Sequence, residues 1–334
     1  MTLHFDTSFC RLAGVDLPIV QAPVGSISTP ALAAAVSEAG GLGTLSITWR
    51  DPDALRTLLR DTRARTAKPF AVNLVLDWDP AERLTIALEE GAPIVSFFWG
   101  DPAPWVDQVH AAGGIVLHTV ASAEEARRAA NAGVDAVVAQ GWEAGGHVWG
   151  EVSTLALVPR VVDAVAPLPV VAAGGIADGR GLAAILALGA GAAWMGTRFL
   201  LAEEAATHPR YQERIIAADE TSTAYSSLFD VGWPNAPLRA LRNTTWESWR
   251  AAGEPAPGMR PGEGETVATD ELGFPVERYS NSCPVAGANG DVEAMALYAG
   301  QGVGLVQRIQ PAAAIVREIA ADAAAAIAGV RVMG

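Results

Sequence analysis

The stretch Gly114-Ile-Val-Leu-His-Thr-Val120, Ala123-Glu-Glu-Ala-Arg-Arg-Ala-Ala-Asn-Ala132, Gly133 and Ala136-Val-Val-Ala-Gln140 decides the fold. Two short apolar runs flank an Ala-rich helical segment. Ser122-Ala-Glu-Glu125 has the spacing of a capping box at the helix start, and Gly133 marks its end. The apolar runs are continuous and do not alternate with polar residues. That pattern fits parallel strands covered on both faces.

Working outward, the same unit recurs along the chain. Apolar runs occupy Pro18–Val24, Gly41–Ile47, Phe70–Leu76, Ile94–Trp99, Gly114–Val120, Ala136–Gln140, Pro169–Ala173 and Ala192–Leu200. Helical segments lie between them at Pro30–Ala39, Asp53–Arg65, Pro80–Glu90, Ala103–Ala112, Ala123–Ala132, Ser153–Val165 and Gly179–Leu188. Thr29-Pro30 places an N-cap before a proline at the first helical position. Gly40, Gly91, Gly113 and Gly189 close further helices as Gly133 does. Eight such units predict an α/β fold, a (β/α)8 TIM barrel. An open doubly wound sheet is the runner-up; it has fewer strands as a rule, and no GxGxxG fingerprint follows the first run.

The pattern changes after Glu204. Residues 214–280 carry Trp233, Trp246 and Trp249 and a Pro/Gly-rich piece, Gly253–Gly264. They read as an inserted lid or small subdomain, with residues 1–213 and 281–334 forming the barrel. The Ala-rich stretch Pro311–Val330 contains Arg317, Glu318 and Asp322, so it reads as a helix packed on protein and not as a membrane span.

Composition narrows the function. Of the 334 residues, 50% are hydrophobic and 18% charged, enough for a large core and too apolar for extensive disorder. The net charge is −14 with no basic tract, which argues against nucleic acid as a partner. Two cysteines, Cys10 and Cys283, make no disulfide framework, so reduced thiols in the cytoplasm are expected. The first ten residues lack the basic and apolar regions of a signal peptide, and no run suits a bilayer.

The chemistry of such a barrel sits at the C-terminal ends of its strands. The segment Gln140-Gly-Trp-Glu-Ala-Gly-Gly-His147 lies there. Gly145 and Gly146 permit φ > 0 or close approach to a ligand. His147 can exchange a proton near neutral pH or hydrogen-bond an anion; an incidental histidine on a mobile loop is the plain alternative. Ala173-Gly-Gly-Ile176 and Met195-Gly-Thr-Arg198 follow the seventh and eighth runs. Gly174, Gly175, Gly196 and Thr197 would present backbone N–H groups and a hydroxyl to a phosphate, as loops in these places commonly do. Ala22, Pro23, Asn73 and Gln140 share that end of the barrel, and the two amides offer the mixed donors and acceptors that a flat polar ring requires. Satisfied core amides and ordinary glycine turns are the alternatives. His118 and Thr119 also fall at this end.

These segments together resemble the nitronate monooxygenase family, formerly called 2-nitropropane dioxygenases. The resemblance is carried by Gln21-Ala-Pro, Gly41-Leu-Gly, Asn73, Gln140–His147, Ala173-Gly-Gly-Ile, Met195-Gly-Thr-Arg-Phe199 and Tyr298-Ala-Gly-Gln-Gly302. It implies an FMN-binding barrel that oxidises alkyl nitronates or nitroalkanes with dioxygen to a carbonyl compound and nitrite. By position it implies phosphate contacts at Gly174, Gly175, Gly196 and Thr197, ring and ribityl contacts at Ala22, Asn73 and Gln140 with Gln301 nearby, and His147 as the catalytic histidine. A metal is not implied, and a homodimer is the candidate assembly. Two features depart from the family pattern: Trp149 follows the histidine in His147-Val-Trp-Gly150, and the fourth run ends in Phe98-Trp99. The loop's continuation, Gly150-Glu151-Val-Ser-Thr-Leu155, is also similar to the flavin-dependent enoyl-ACP reductases. An NAD(P)H-dependent quinone reductase and a non-catalytic flavin-binding protein complete the alternatives.

Overall fold

The computed structural model describes residues 3–330. Eight parallel strands form one sheet: β1 (Ile19–Gln21), β2 (Gly43–Ser46), β3 (Phe70–Val75), β4 (Ile94–Phe98), β5 (Ile115–Val120), β6 (Ala136–Gln140), β8 (Val170–Ala173) and β9 (Ala192–Met195), with β7 (Gly146–His147) lying outside it. Their order is β1-β9-β8-β6-β5-β4-β3-β2. The sheet closes where Val20 pairs in parallel with Leu42. There the Gln21 N–H donates to the Leu42 carbonyl at 2.9 Å and the Leu42 N–H to the Ile19 carbonyl at 2.9 Å. The fold is the (β/α)8 barrel that the apolar runs predict.

The outer helices are α2 (Pro30–Glu38), α3 (Pro52–Arg65), α4 (Ala81–Glu89), α5 (Ala103–Ala111), α6 (Ala123–Asn131), α7 (Thr154–Val165) and α8 (Gly179–Ala187), all preceded by α1 (Ser8–Ala13). The expected caps form: Thr29 Oγ1 accepts from the Leu32 N–H at 3.0 Å and Ser122 Oγ from the Glu125 N–H at 3.1 Å. The long helix α11 (Ala312–Gly329), the last after α9 (Pro209–Ile216) and α10 (Thr244–Ala251), packs on α8 and α2 and buries Ile315, Val316 and Ile319. Among the described residues no helix is long and apolar enough to cross a membrane.

Two features differ from the sequence expectation. Helix α1 is too short for periodicity to reveal, yet its Phe9, fully buried, joins Val20, Ala71 and Leu117 inside the barrel. The run Ala192–Leu200 divides after Met195: Thr197–Leu201 is a 3-10 helix, not strand. The 3-10 turn buries Phe199, Leu200 and Leu201, and an apolar run alone does not distinguish such a turn from strand.

Beyond the barrel, β10 (Thr223–Ser226) and β11 (Leu238–Leu241) form an antiparallel sheet with β7. A second small sheet joins β12 (Thr266–Thr269), β13 (Pro275–Glu277) and β14 (Asn289–Gly290).

Candidate active site

The C-terminal ends of the barrel strands surround a cavity of about 1080 Å³. Ala22, Pro23, Asn73, Gln140, Gly145, Gly146, His147, Gly174, Gly175, Gly196 and Thr197 all line it. Gln301 is not among the lining residues, but its neighbours Gly300 and Gly302 are. The Gln301 N–H donates to the Glu143 carbonyl at 2.9 Å, so its backbone serves to tie loops together.

The floor begins at the end of β1. The buried Gln21 amide accepts from the Thr44 N–H at 2.9 Å and donates to Ser28 Oγ at 3.1 Å. Ser28 Oγ in turn accepts from the Val24 N–H at 2.8 Å. One internal amide thereby fixes the path of Ala22-Pro23-Val24. On β3, Asn73 Nδ2 donates to the Ser96 carbonyl at 3.2 Å, and its Oδ1 has no protein partner among the described residues. On β6, Gln140 Nε2 donates to the His147 carbonyl at 3.1 Å, while its buried Oε1 is unpaired. A buried acceptor without a donor is costly, and Gln140 Oε1 is one such acceptor facing the cavity lining.

The loops after β8 and β9 present further unpaired groups. Among the described residues the N–H groups of Gly175, Ile176, Gly196 and Thr197 have no protein acceptor. Asp178 takes the first N–H groups of α8, those of Arg180 and Gly181, at 3.0 and 3.2 Å. The unpaired N–H groups therefore belong to the two loops and not to the start of α8. Gly174 has a stringent requirement: its φ is +109° and a Cβ would lie 2.8 Å from Thr154 Oγ1. Thr197 Oγ1 accepts from the Gly300 N–H at 3.0 Å, which leaves its own proton free to donate.

The histidine segment is braced on both sides. β7 pairs antiparallel with β11, with His147 opposite Leu238. Buried Arg239 on β11 lies over the Trp142 ring at 4.7 Å and donates to the Trp142 carbonyl at 2.9 and 3.2 Å. The Glu143 carboxylate accepts from the Thr154 N–H at 2.8 Å, tying the loop to the start of α7. Gly145 packs closely on its own chain: a Cβ there would lie 2.5 Å from the Gly300 nitrogen. Gly146 takes φ +78° over open space.

His147 faces the cavity beside Trp233, the ring centroids 4.2 Å apart. Its Nδ1 lies 3.3 Å from the Ala236 carbonyl and its Nε2 3.5 Å from the Tyr298 hydroxyl. A carbonyl can only accept, so Nδ1 carries the proton. The Tyr298 hydroxyl donates to the Asn281 carbonyl and has no proton left for His147. The network therefore leaves the Nε2 lone pair uncommitted. Burial pushes His147 down to about 4, against the smaller upward pull of the Ala236 and Pro237 carbonyls. The ring is neutral at pH 7, with a free basic nitrogen.

The sequence reading missed Arg239, Trp78 and Tyr298 as site residues. Tyr298 opens the segment Tyr298-Ala-Gly-Gln-Gly302 but was given no role there, and Arg239 is remote in sequence and gave no signal. His118, buried inside the barrel on β5, is also pushed down to about 4 by burial. Among the described residues no cluster of His, Cys, Asp or Glu could hold a metal ion.

The family model described as nitronate monooxygenase matches residues 7–82 and 78–322. A nitronate monooxygenase of Pseudomonas aeruginosa is 38% identical, over 93% of this chain and 97% of its own. The solved structure of FabK from Thermotoga maritima superposes with a TM-score of 0.82 at 35% identity, covering 97% of this chain and 98% of that one. A nitroalkane oxidase from Streptomyces ansochromogenes gives a TM-score of 0.77 at 30% identity, over 97% and 99% of the two chains.

Proposed function

Because this chain belongs to the nitronate monooxygenase family, and is an enzyme of that family, we propose that it binds FMN in the barrel mouth. There it oxidises alkyl nitronates, or the parent nitroalkanes, with dioxygen to a carbonyl compound and nitrite. The observation that carries the proposal is the pairing of a neutral His147, its Nε2 free, with unpaired polar groups lining the same cavity.

The residues fit a flavin mononucleotide. Gly175, Ile176, Gly196 and Thr197 offer four N–H groups to one phosphate. Among the described cavity-lining residues we find no second set that suggests a diphosphate. The unpaired Gln140 Oε1 can accept from a ring N–H or a ribityl hydroxyl, and Asn73 Oδ1 offers another acceptor. When bound, the flavin supplies the redox chemistry.

The chain's own work is to bind, orient and move a proton. Its Nε2 lone pair makes His147 a base for the α-proton of a neutral nitroalkane. The Ala236 carbonyl holds the Nδ1 proton and so keeps the tautomer. A protonated His147 then pairs with the nitronate it has formed, an interaction that the buried site strengthens. A pre-formed nitronate needs no proton removed. The 214–280 segment supplies Trp233 and Leu272 to the cavity lining; we assign it the role of a lid that limits water at the site.

The test is His147→Ala, assayed on a nitroalkane and on its pre-formed nitronate with flavin content measured alongside. Turnover of the neutral form should fall by about 10²–10⁴-fold, with the nitronate affected less and FMN retained. Unchanged kcat/KM on both forms would remove His147 from the chemistry.

A further inference from the structure

The cavity wall beside His147 is a row of aromatic rings that proton transfer does not require. Trp78 lies 4.8 Å from Trp233 at an interplanar angle of 72°, and Trp49 lies 5.2 Å from Trp78 at 76°. Phe98 stands 6.4 Å from Trp233. All four line the cavity. Trp233 is 4% exposed and Trp49 53%, so the row leads from His147 out to solvent.

The wall is fixed in place. Trp233 Nε1 donates to Asp77 Oδ2 at 2.7 Å, and Asp77 adjoins Trp78, so the turn after β3 holds both rings. Behind them Trp99 packs 4.9 Å from Trp233 and 4.6 Å from Trp149. Trp99 has φ +65°, a conformation that bulky residues rarely adopt. Of the three residues that depart from the family pattern, Phe98 lines the wall and Trp99 and Trp149 buttress it. Rings meeting at steep angles let a flat guest lie on one face and meet the next ring edge-on, the favoured aromatic geometry.

We propose that the preferred substrates are nitronates whose carbon chain ends in a flat aromatic group seated on the half-buried Trp78 beside the edge of Trp233, with short alkyl nitronates held poorly. This rests on the nitronate reaction proposed above. A buried phenyl ring should raise affinity by about tenfold to a hundredfold over a methyl group.

The test is titration of the flavin-loaded protein with planar carboxylates, unreactive mimics of the nitronate anion: 3-phenylpropanoate, 3-cyclohexylpropanoate and propanoate. The flavin is already seated, so it cannot itself occupy the wall as the guest. The phenyl compound should bind at least about tenfold tighter than propanoate and tighter than the cyclohexyl compound. Trp78→Ala should abolish most of that advantage, and Trp78→Phe should restore it. Equal affinities for phenyl and methyl, an equal advantage for the cyclohexyl ring, or a phenyl advantage undiminished in both Trp78→Ala and Trp233→Leu would overturn the proposal. Ring preference without nitronate oxidation would refute the reaction and leave the wall standing. Nitroethane nitronate turnover without ring preference would refute the wall alone.

Discussion

Acid should destabilise this protein through two identifiable histidines. Burial pushes both His118 and His147 down to about 4, whereas an unfolded histidine titrates near 6.5. Asp101 and the Phe97 carbonyl oppose the shift at His118, but burial dominates. Between these values the unfolded chain binds protons that the folded chain refuses. Stability is therefore fully present above about pH 6.5 and is lost as pH falls toward about 4. Lowering the pH from about 7 to about 5.5 should cost about 1 kcal/mol per histidine, or about 2 kcal/mol together. The assay is urea unfolding of flavin-free protein at both pH values, for wild type, His118→Gln, His147→Gln and the double variant. Carboxylates contribute to all four alike, so the differences isolate the histidines. Each single variant should lose about 1 kcal/mol less on acidification than wild type, and the double variant about 2 kcal/mol less. An acid-induced loss identical in all four would refute the claim that these rings are held neutral by burial.

Gly174→Ala should destabilise the flavin-free protein by about 2–5 kcal/mol, from backbone strain at φ +109° and a Cβ placed 2.9 Å from the Gly141 carbonyl oxygen. A change below about 1 kcal/mol in urea unfolding would show that the turn relaxes freely. Gly196→Ala should fold and keep its flavin, because a Cβ there lies 3.6 Å from Ala22 Cβ, ordinary contact. Gly196→Asp should fold but lose flavin, since it sets a carboxylate against the phosphate; normal flavin content after desalting would place the phosphate elsewhere.

The barrel was legible because its strands are buried on both faces and read as unbroken apolar runs. The caps at Thr29 and Ser122 and the glycines after the helices gave the element borders. Contacts distant in sequence were not legible. Nothing local to Gly146-His147 announces pairing with Leu238-Arg239, so the sequence left a mobile loop open as an alternative and did not show the brace. Helix α1 is shorter than two turns and carries no periodic signal, yet Phe9 fills the barrel interior. Glycines illustrate the limit most plainly. Gly174 needs its positive φ, as its tight turn suggested. Gly145 instead accommodates the backbone at Ala299–Gly300, and Gly196 has φ −102° with room for a side chain. A glycine's identity does not say which neighbour, if any, demands it.

The proposed function requires that a nitronate be oxidised by dioxygen at this barrel mouth without a nicotinamide, a bound flavin supplying the redox chemistry. The most direct measurement is oxygen uptake and nitrite release by the purified, FMN-loaded protein given a pre-formed nitronate, with parallel anaerobic spectra after adding nitronate, NADH or NADPH. Oxygen consumption and nitrite with nitronate alone are expected, with no bleaching of the flavin by either nicotinamide. Rapid bleaching by NADH or NADPH, with no oxygen uptake or nitrite from any nitronate, would contradict it and make the protein a reductase.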